Sequence, residues 1–329
     1  MTDGFFPSTA VSPFIAFVVT FILIRWLTGS TAPRVLDHAN DRSLHTGAVR
    51  RSGGLGMMLG IAVSWIALPV DLPAAIPLGV ALLALVSLAD DVSGLPVPIR
   101  LLAHGAAAAG FSLLLLETHG WALALLVALA MVWMINLYNF MDGSDGLAGG
   151  MALIGFACYG LIAWQAGDAF FAAANFCIAA AAAAFLVFNF HPARIFMGDA
   201  GAIPLGFLAG SLGATGWLTA VWPAWLPVLV FSPFIADASV TLAKRCLKGE
   251  KFWQAHRAHY YQRLVQSGLG HRNTALFGYA LMLGASLSAL WALRQDSAVQ
   301  AGVGALWIIL YLGMMLASER RRPGCRTGD

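Results

Sequence analysis

Carboxylates, amides and histidines recur in five short clusters. They are Asp90-Asp91, the run NLYNFMDGSDG from Asn136 to Gly146, FNFHPARIFMGDAG from Phe188 to Gly201, Asp237, and AHRAHYYQR from Ala255 to Arg263. Adjacent carboxylates repel, so Asp90 and Asp91 favour a bound cation or a shared proton. The alternative is a solvated helix end, which the helix dipole disfavours for acids at a C-terminus. Asn136, Asn139, Asp142 and Asp145 recur every three residues; a helix continuing through them would set all four along one side. Such a set can read the polar edge of a nucleotide and hold a hydrated metal, whereas an Asx-turn loop would need only its Asp-Gly pairs. Asp199 precedes an apolar run, where it is either a helix cap or one of the one or two carboxylates that Mg²⁺ takes beside waters and substrate phosphates. Asn189 and His191 add polar groups just past the preceding apolar run.

His256, His259 and Arg263 stand at i, i+3 and i+7, one face of a helix, with Lys251, Trp253 and Arg257 nearby. Phosphate binding suits them better than metal ligation, because no third soft ligand is near; an amphipathic surface helix would explain the cations and Trp253 but not the aligned histidines. Arg42, His45, Arg50 and Arg51 precede Ser52-Gly53-Gly54. Cations beside free N–H groups at a helix start make an anion site, although topology alone would also put arginines there. Asp237 lies inside an apolar stretch and needs a partner, a site or a proton.

The elements that must position these groups are membrane spans. The chain has 329 residues, 59% hydrophobic and 11% charged, with mean hydropathy +0.77; soluble domains carry about 25% charged residues. Apolar stretches near 10–29, 54–70, 73–89, 99–117, 121–138, 147–165, 169–188, 201–217, 224–243, 274–293 and 299–318 predict eleven helical spans. The expected fold is therefore an all-α polytopic membrane protein, a single domain over 1–329. With the N-terminus outside, all but Arg294 of the 19 Lys and Arg residues fall in the inner loops 30–53, 90–98, 139–146, 189–200 and 244–273, in the tail, or at inner ends of spans. The positive-inside bias thus predicts N-out and C-in, with the five clusters at the cytoplasmic face. The first span has no basic N-terminal flank and does not read as a cleaved signal. Cys158, Cys177, Cys246 and Cys325 lack paired or metal-type spacing. The Ala tract 179–184 suits close helix approach. No transporter-type internal repeat is visible.

LADDVSGLPVPIR, NLYNFMDGSDGLAGG, FNFHPARIFMGDAGAIPLG and the His-containing loop resemble, in order over about 34–272, the polyprenyl-phosphate N-acetylhexosamine-1-phosphate transferases, glycosyltransferase family 4. That group includes the phospho-N-acetylmuramoyl-pentapeptide translocases. The loop AHRAHYYQRL lacks a translocase-type triple-His run and looks more like the branch that starts O-antigen with N-acetylfucosamine or N-acetylquinovosamine; Ala202 stands where the family commonly has Ser. The resemblance implies transfer of a sugar-1-phosphate from a UDP-N-acetylhexosamine to undecaprenyl phosphate, releasing UMP, with Mg²⁺ or Mn²⁺, in the bacterial inner membrane. On it, Asp199 and Asp142 would hold metal, and Asp90 or Asp91 would orient or deprotonate the lipid phosphate. Asn136, Asn139, Asp142, Asp145 and Asn189 would frame the nucleotide. Arg51, His256, Arg257, His259 and Arg263 would contact phosphates and sugar. The lipid bilayer is the expected surroundings, no nucleic-acid partner is expected, and a homodimer is left open.

Three other classes fit less well. A secondary transporter would cluster its polar groups near the midplane on broken helices. An intramembrane aspartyl protease needs two facing Asp residues inside spans. A CDP-alcohol phosphotransferase expects Ala-Arg soon after its Asp-Gly, and Asp145-Gly-Leu-Ala-Gly-Gly has none.

Overall fold

A computed structural model describes residues 7–29, 36–37, 49–68, 72–251 and 256–320. Thirteen α-helices run in chain order among them: α1 (Pro7–Leu27), α2 (Gly53–Ile66), α3 (Ala75–Ser93), α4 (Val97–Leu115), α5 (Trp121–Phe140), α6 (Leu147–Gln165), α7 (Ala169–Asn189), α8 (Asp199–Leu218), α9 (Trp225–Val230), α10 (Ser232–Leu247), α11 (Tyr260–Leu264), α12 (Gly270–Ala292) and α13 (Ser297–Arg320). The sole ladder among the described residues pairs two-residue strands, β1 (Leu36–Asp37) and β2 (Val49–Arg50). The protein is an all-α polytopic membrane protein.

Nine of these described helices are long and apolar enough to cross a bilayer. The eleven-span expectation differs from this at two places, each with a local cause. The second predicted span forms only the 14-residue α2, about 21 Å at 1.5 Å per residue, short of a ~30 Å hydrocarbon core. The ninth is broken between α9 and α10. Pro233, in the first turn of α10, lacks the N–H that would continue the ladder, and Ser232 Oγ donates to the Leu229 carbonyl at 2.6 Å.

The interior is built from α6, α7 and α8, whereas α13 is mostly exposed on the bundle's side. Phe156, Tyr159, Trp222 and Phe231 form an aromatic knot between them, with Tyr159 stacked on Trp222 at 4.7 Å. Buried Ala179, Ala181, Ala182 and Ala184 line the interior side of α7. Small residues also set the α2–α8 crossing. A Cβ on Gly54 would stand 2.4 Å from the Gly201 Cα, so only a glycine pair permits this approach. Cys158 and Cys177 are buried free thiols and Cys246 an exposed one.

Candidate active site

The clusters meet at one end of the bundle. The Arg50–Gly54 segment runs alongside Ile195–Gly198: Phe196 N donates to the Arg50 carbonyl at 2.7 Å, Gly53 N to Phe196 O at 3.0 Å and Gly54 N to Met197 O at 2.9 Å. The Gly53 and Gly54 N–H groups are thus spent on backbone, which corrects the expectation that they stand free for an anion. The pairing instead delivers the Arg51 side chain to Asp199. Arg50 turns the other way, donating to the Leu27 and Gly29 carbonyls at the end of α1. Arg42, His45 and Trp253 lie outside the described residues.

Asp199 is the first residue of α8, following Gly198 at φ 71°. A side chain at Gly198 would meet the Arg51 carbonyl at 2.4 Å, so glycine is required there by both backbone angle and space. The N-cap is Gly198, with no side-chain cap bond, and the Asp199 carboxylate points to cations instead. Arg51 reaches Asp199 Oδ1 at 3.3 Å and Asp91 Oδ1 at 3.9 Å, while Arg100 reaches Asp90 Oδ2 at 2.9 Å and Asp199 Oδ2 at 3.7 Å. Three carboxylates from α3 and α8 thereby share two guanidiniums. The fit to a divalent cation rests on donor chemistry: carboxylate oxygens suit Mg²⁺ and Mn²⁺. Among the described residues no group of three or more His, Cys, Asp or Glu forms a protein-only cage, so a cation here would need substrate oxygens to complete its shell.

Arg100 was not singled out from the sequence. It sits in the first turn of α4, and the Asp90–Arg100 contact depends on the turn between the helices. Gly94, at φ 66°, closes α3 with its N–H on the Asp90 carbonyl, Leu95 N donates to Asp90 Oδ1 at 2.6 Å, and Pro96 then starts α4.

The Asn136–Asp145 spacing is not realised as one helix. α5 ends at Phe140 and α6 begins at Leu147, because Gly143 and Gly146 break the pattern. Asn136 and Asn139 ride on α5; Asp142 and Asp145 lie in the loop. The Asn136 amide donates back to Val132 O at 2.7 Å. Asn189 is buried and structural in its contacts, accepting from Gly146 N and donating to Ile195 O, both at 2.9 Å. It therefore joins the two loops rather than presenting its amide to a ligand. Asp142 lies within electrostatic reach of Tyr138 and Tyr261.

Asp145 is held between two histidines. Its Oδ2 is 2.7 Å from His191 Nδ1 and accepts from Ala193 N at 3.1 Å; His271 Nδ1 stands 3.8 Å from Oδ1 and 3.0 Å from Ser144 Oγ. The two imidazoles lie nearly parallel, 5.8 Å apart. His271, from the start of α12, was missed: it lies 126 residues from Asp145, and a lone histidine before a span carries no local signal.

The His256–Arg263 reading is corrected in one respect. Residues 256–259 are not helical, and α11 begins only at Tyr260. The reason is Asp237, whose buried carboxylate accepts from Tyr260 N and Tyr261 N at 2.9 Å, lies 3.2 Å from His259 Nδ1 and receives Thr241 Oγ1 at 3.2 Å. An anion capping free N–H groups starts a helix there, leaving His259 extended ahead of it. His256 and His259 still stay together, with rings 4.8 Å apart. Arg257 is exposed, and Arg263 lies over the Tyr260 ring at 4.9 Å. Tyr261 Oη donates to Phe140 O at 3.0 Å above Gly143, where a Cβ would stand 2.2 Å from that hydroxyl. The histidine segment is thus docked on the Asp142–Asp145 loop.

Known proteins are similar to this chain in sequence. Residues 74–216 match the profile of glycosyl transferase family 4, a span holding Asp90, Asp91, Asn136 to Asp145 and Asp199. The chain is 27% identical over 300 residues, 85% of its length and 84% of the relative's, to a probable undecaprenyl-phosphate N-acetylglucosaminyl 1-phosphate transferase of Bacillus subtilis. It is 29% identical to the decaprenyl-phosphate N-acetylglucosaminephosphotransferase of Mycobacterium tuberculosis, over 80% of this chain and 78% of that one. A phospho-N-acetylmuramoyl-pentapeptide-transferase of Geobacillus thermodenitrificans is 34% identical over 44% of each chain. With Asp90, Asp91 and Asp199 gathered at one end of the bundle and the profile match spanning them, the chain is similar to glycosyl transferase family 4 over this stretch.

Proposed function

We propose that this protein transfers an N-acetylhexosamine-1-phosphate from a UDP-sugar to undecaprenyl phosphate, giving undecaprenyl-diphosphate-sugar and UMP, at the cytoplasmic face of the bacterial inner membrane. The relatives' names support the general reaction, a polyprenyl-phosphate hexosamine-1-phosphate transfer. The observation that carries the reading is the cluster in which Arg51 and Arg100 bridge Asp199 to Asp91 and Asp90.

A lipid phosphate oxygen attacks the sugar-bearing phosphorus, and the bond from that phosphorus to the UMP oxygen breaks. Two anions must meet, so positioning and countercharge dominate the barrier. Arg51 and Arg100 supply that countercharge, exchanging Asp partners for phosphate oxygens as substrates arrive. Asp90 or Asp91 orients the lipid phosphate, and takes its remaining proton when one is present. Asp199 would hold Mg²⁺ or Mn²⁺, with Asp142 a further carboxylate at the nucleotide side; a divalent ion supplies charge neutralisation on the diphosphate when bound. The Asp142–Asp145 loop receives the nucleotide, and His256 and His259 reach toward the sugar phosphate. The loop AHRAHYYQRL supports an O-antigen-type N-acetylhexosamine over a muramoyl pentapeptide.

The test is UMP release by purified protein with undecaprenyl phosphate and Mg²⁺, using UDP-N-acetylfucosamine, UDP-N-acetylquinovosamine and UDP-N-acetylglucosamine in turn. UMP formed only with lipid, abolished by EDTA and by Asp199→Asn, is the expected result. Silence with all three sugars in folded protein would count against the reading.

A further inference from the structure

α13 is the least embedded long helix, with Trp307, Tyr311 and Met315 as its buried residues. Its polar contacts are nonetheless ordered along the broken ninth span. Gln300 Oε1 accepts from Trp225 Nε1 at 3.0 Å, before the break. Tyr311 Oη meets Ser232 Oγ at 2.7 Å, at the break itself. Glu319 then joins Lys244 and Tyr260 beyond it: Tyr260 Oη donates to Glu319 Oε1 at 2.9 Å, Lys244 Nζ donates to Tyr260 Oη at 2.7 Å, and Lys244 is paired directly with Glu319. Helix α13 is therefore a brace laid along α9 and α10.

The last of these contacts reaches the proposed site. Tyr260 follows His259 directly, and its backbone N–H is held by Asp237. Its ring end is held by Glu319 and Lys244, with Arg263 over its face at 4.9 Å. Tyr260 is thus pinned at both ends, and the ring-side pin is shared between Lys244 of α10 and Glu319 of α13. A simple surface ion pair between Lys244 and Glu319 would contribute little; the hydrogen bond shared with a buried tyrosine is what lets Glu319 act on the segment beyond.

We propose that Glu319 is a positioning residue that acts through Tyr260 to hold His256 and His259 over the Asp142–Asp145 loop. This rests on the transferase reading only for its kinetic consequence; the positioning itself is testable without activity.

The experiment compares Glu319→Ala, Glu319→Gln, Tyr260→Phe and the double variant Glu319→Ala/Tyr260→Phe, as full chains in detergent. Two readouts are taken: the rate of trypsin cleavage after the exposed Arg257, identified by fragment mass, and KM and kcat for UMP release. Glu319→Ala should raise cleavage and KM for the UDP-sugar about fivefold, the factor of one shared hydrogen bond, with kcat within about twofold. Glu319→Gln, which keeps an acceptor for the tyrosine, should return both close to wild type, and Glu319→Ala should add nothing once Tyr260 is Phe. Unchanged cleavage and KM in Glu319→Ala, or effects that simply add in the double variant, would overturn the proposal. If wild type releases no UMP, the transferase reading falls while the cleavage comparison still decides the role of Glu319.

Discussion

Asp237→Asn is the sharpest perturbation of the site that leaves its volume unchanged. The carboxylate lies against two backbone N–H groups at 2.9 Å, the His259 ring at 3.2 Å and the Thr241 hydroxyl at 3.2 Å. An amide keeps one oxygen and turns an NH₂ toward the N–H of Tyr260 or Tyr261. One charge-assisted bond is lost, worth about 1.5–3 kcal/mol, and the survivors fall to the weaker neutral class. A local loss of about 3 kcal/mol follows, roughly a hundredfold shift toward a released histidine segment. Because Asp237 touches only that segment and Thr241 among the contacts described, the change should be local. kcat/KM for UMP release should fall about a hundredfold while the thermal midpoint moves by only a few degrees, and trypsin should cut after Arg257 much faster. Activity within about threefold of wild type, with unchanged cleavage, would refute the assignment of Asp237 as the anchor of His259.

Three further outcomes are expected. Gly143→Ala places a Cβ 2.2 Å from the Tyr261 hydroxyl, so it should undock the histidine segment and raise KM for the UDP-sugar, a loss that Gly143→Ala/Tyr261→Phe partly reverses in the same steady-state assay. Gly54→Ala drives a methyl to 2.4 Å from Gly201 and should lower the yield of folded protein on size exclusion, since neither backbone can move without breaking the Gly54–Met197 bond. His271→Ala removes a contact to Ser144 at 3.0 Å and a neighbour of Asp145; kcat/KM should drop about tenfold, the effect of one or two hydrogen bonds in a positioned loop, with the midpoint of thermal unfolding close to wild type.

The parts of the site that were legible from sequence are those whose signal is local. Apolar runs marked the spans, and Asp90, Asp91, Asp145, Asp199 and Asp237 stood out because carboxylates are costly beside hydrocarbon. The apolar run 224–243 read as one span, although the helix breaks where Pro233 stands in the first turn of α10. What escaped depends on chain that is distant in sequence. α11 starts at Tyr260 because Asp237, 23 residues away, caps it, so the periodic spacing of His256, His259 and Arg263 described a helix that does not begin in time. Gly53 and Gly54 lose their free N–H groups to Phe196 and Met197, partners that no local pattern announces. Arg100 and His271 are single basic residues at span starts, indistinguishable by spacing from topological anchors until α3, α8 and the loop before α6 bring carboxylates to them.

The most direct test of the central claim follows the phosphorus rather than the sugar. UDP-N-acetylhexosamine labelled with ³²P at the sugar-bearing phosphate would be incubated with undecaprenyl phosphate, Mg²⁺ and the purified protein, then partitioned into butanol. The transferase account predicts label in the lipid fraction in step with unlabelled UMP, and neither product with Asp199→Asn. Label remaining in water-soluble UDP while the sugar passes to lipid, or no transfer at all by folded protein with each sugar tried, would contradict it.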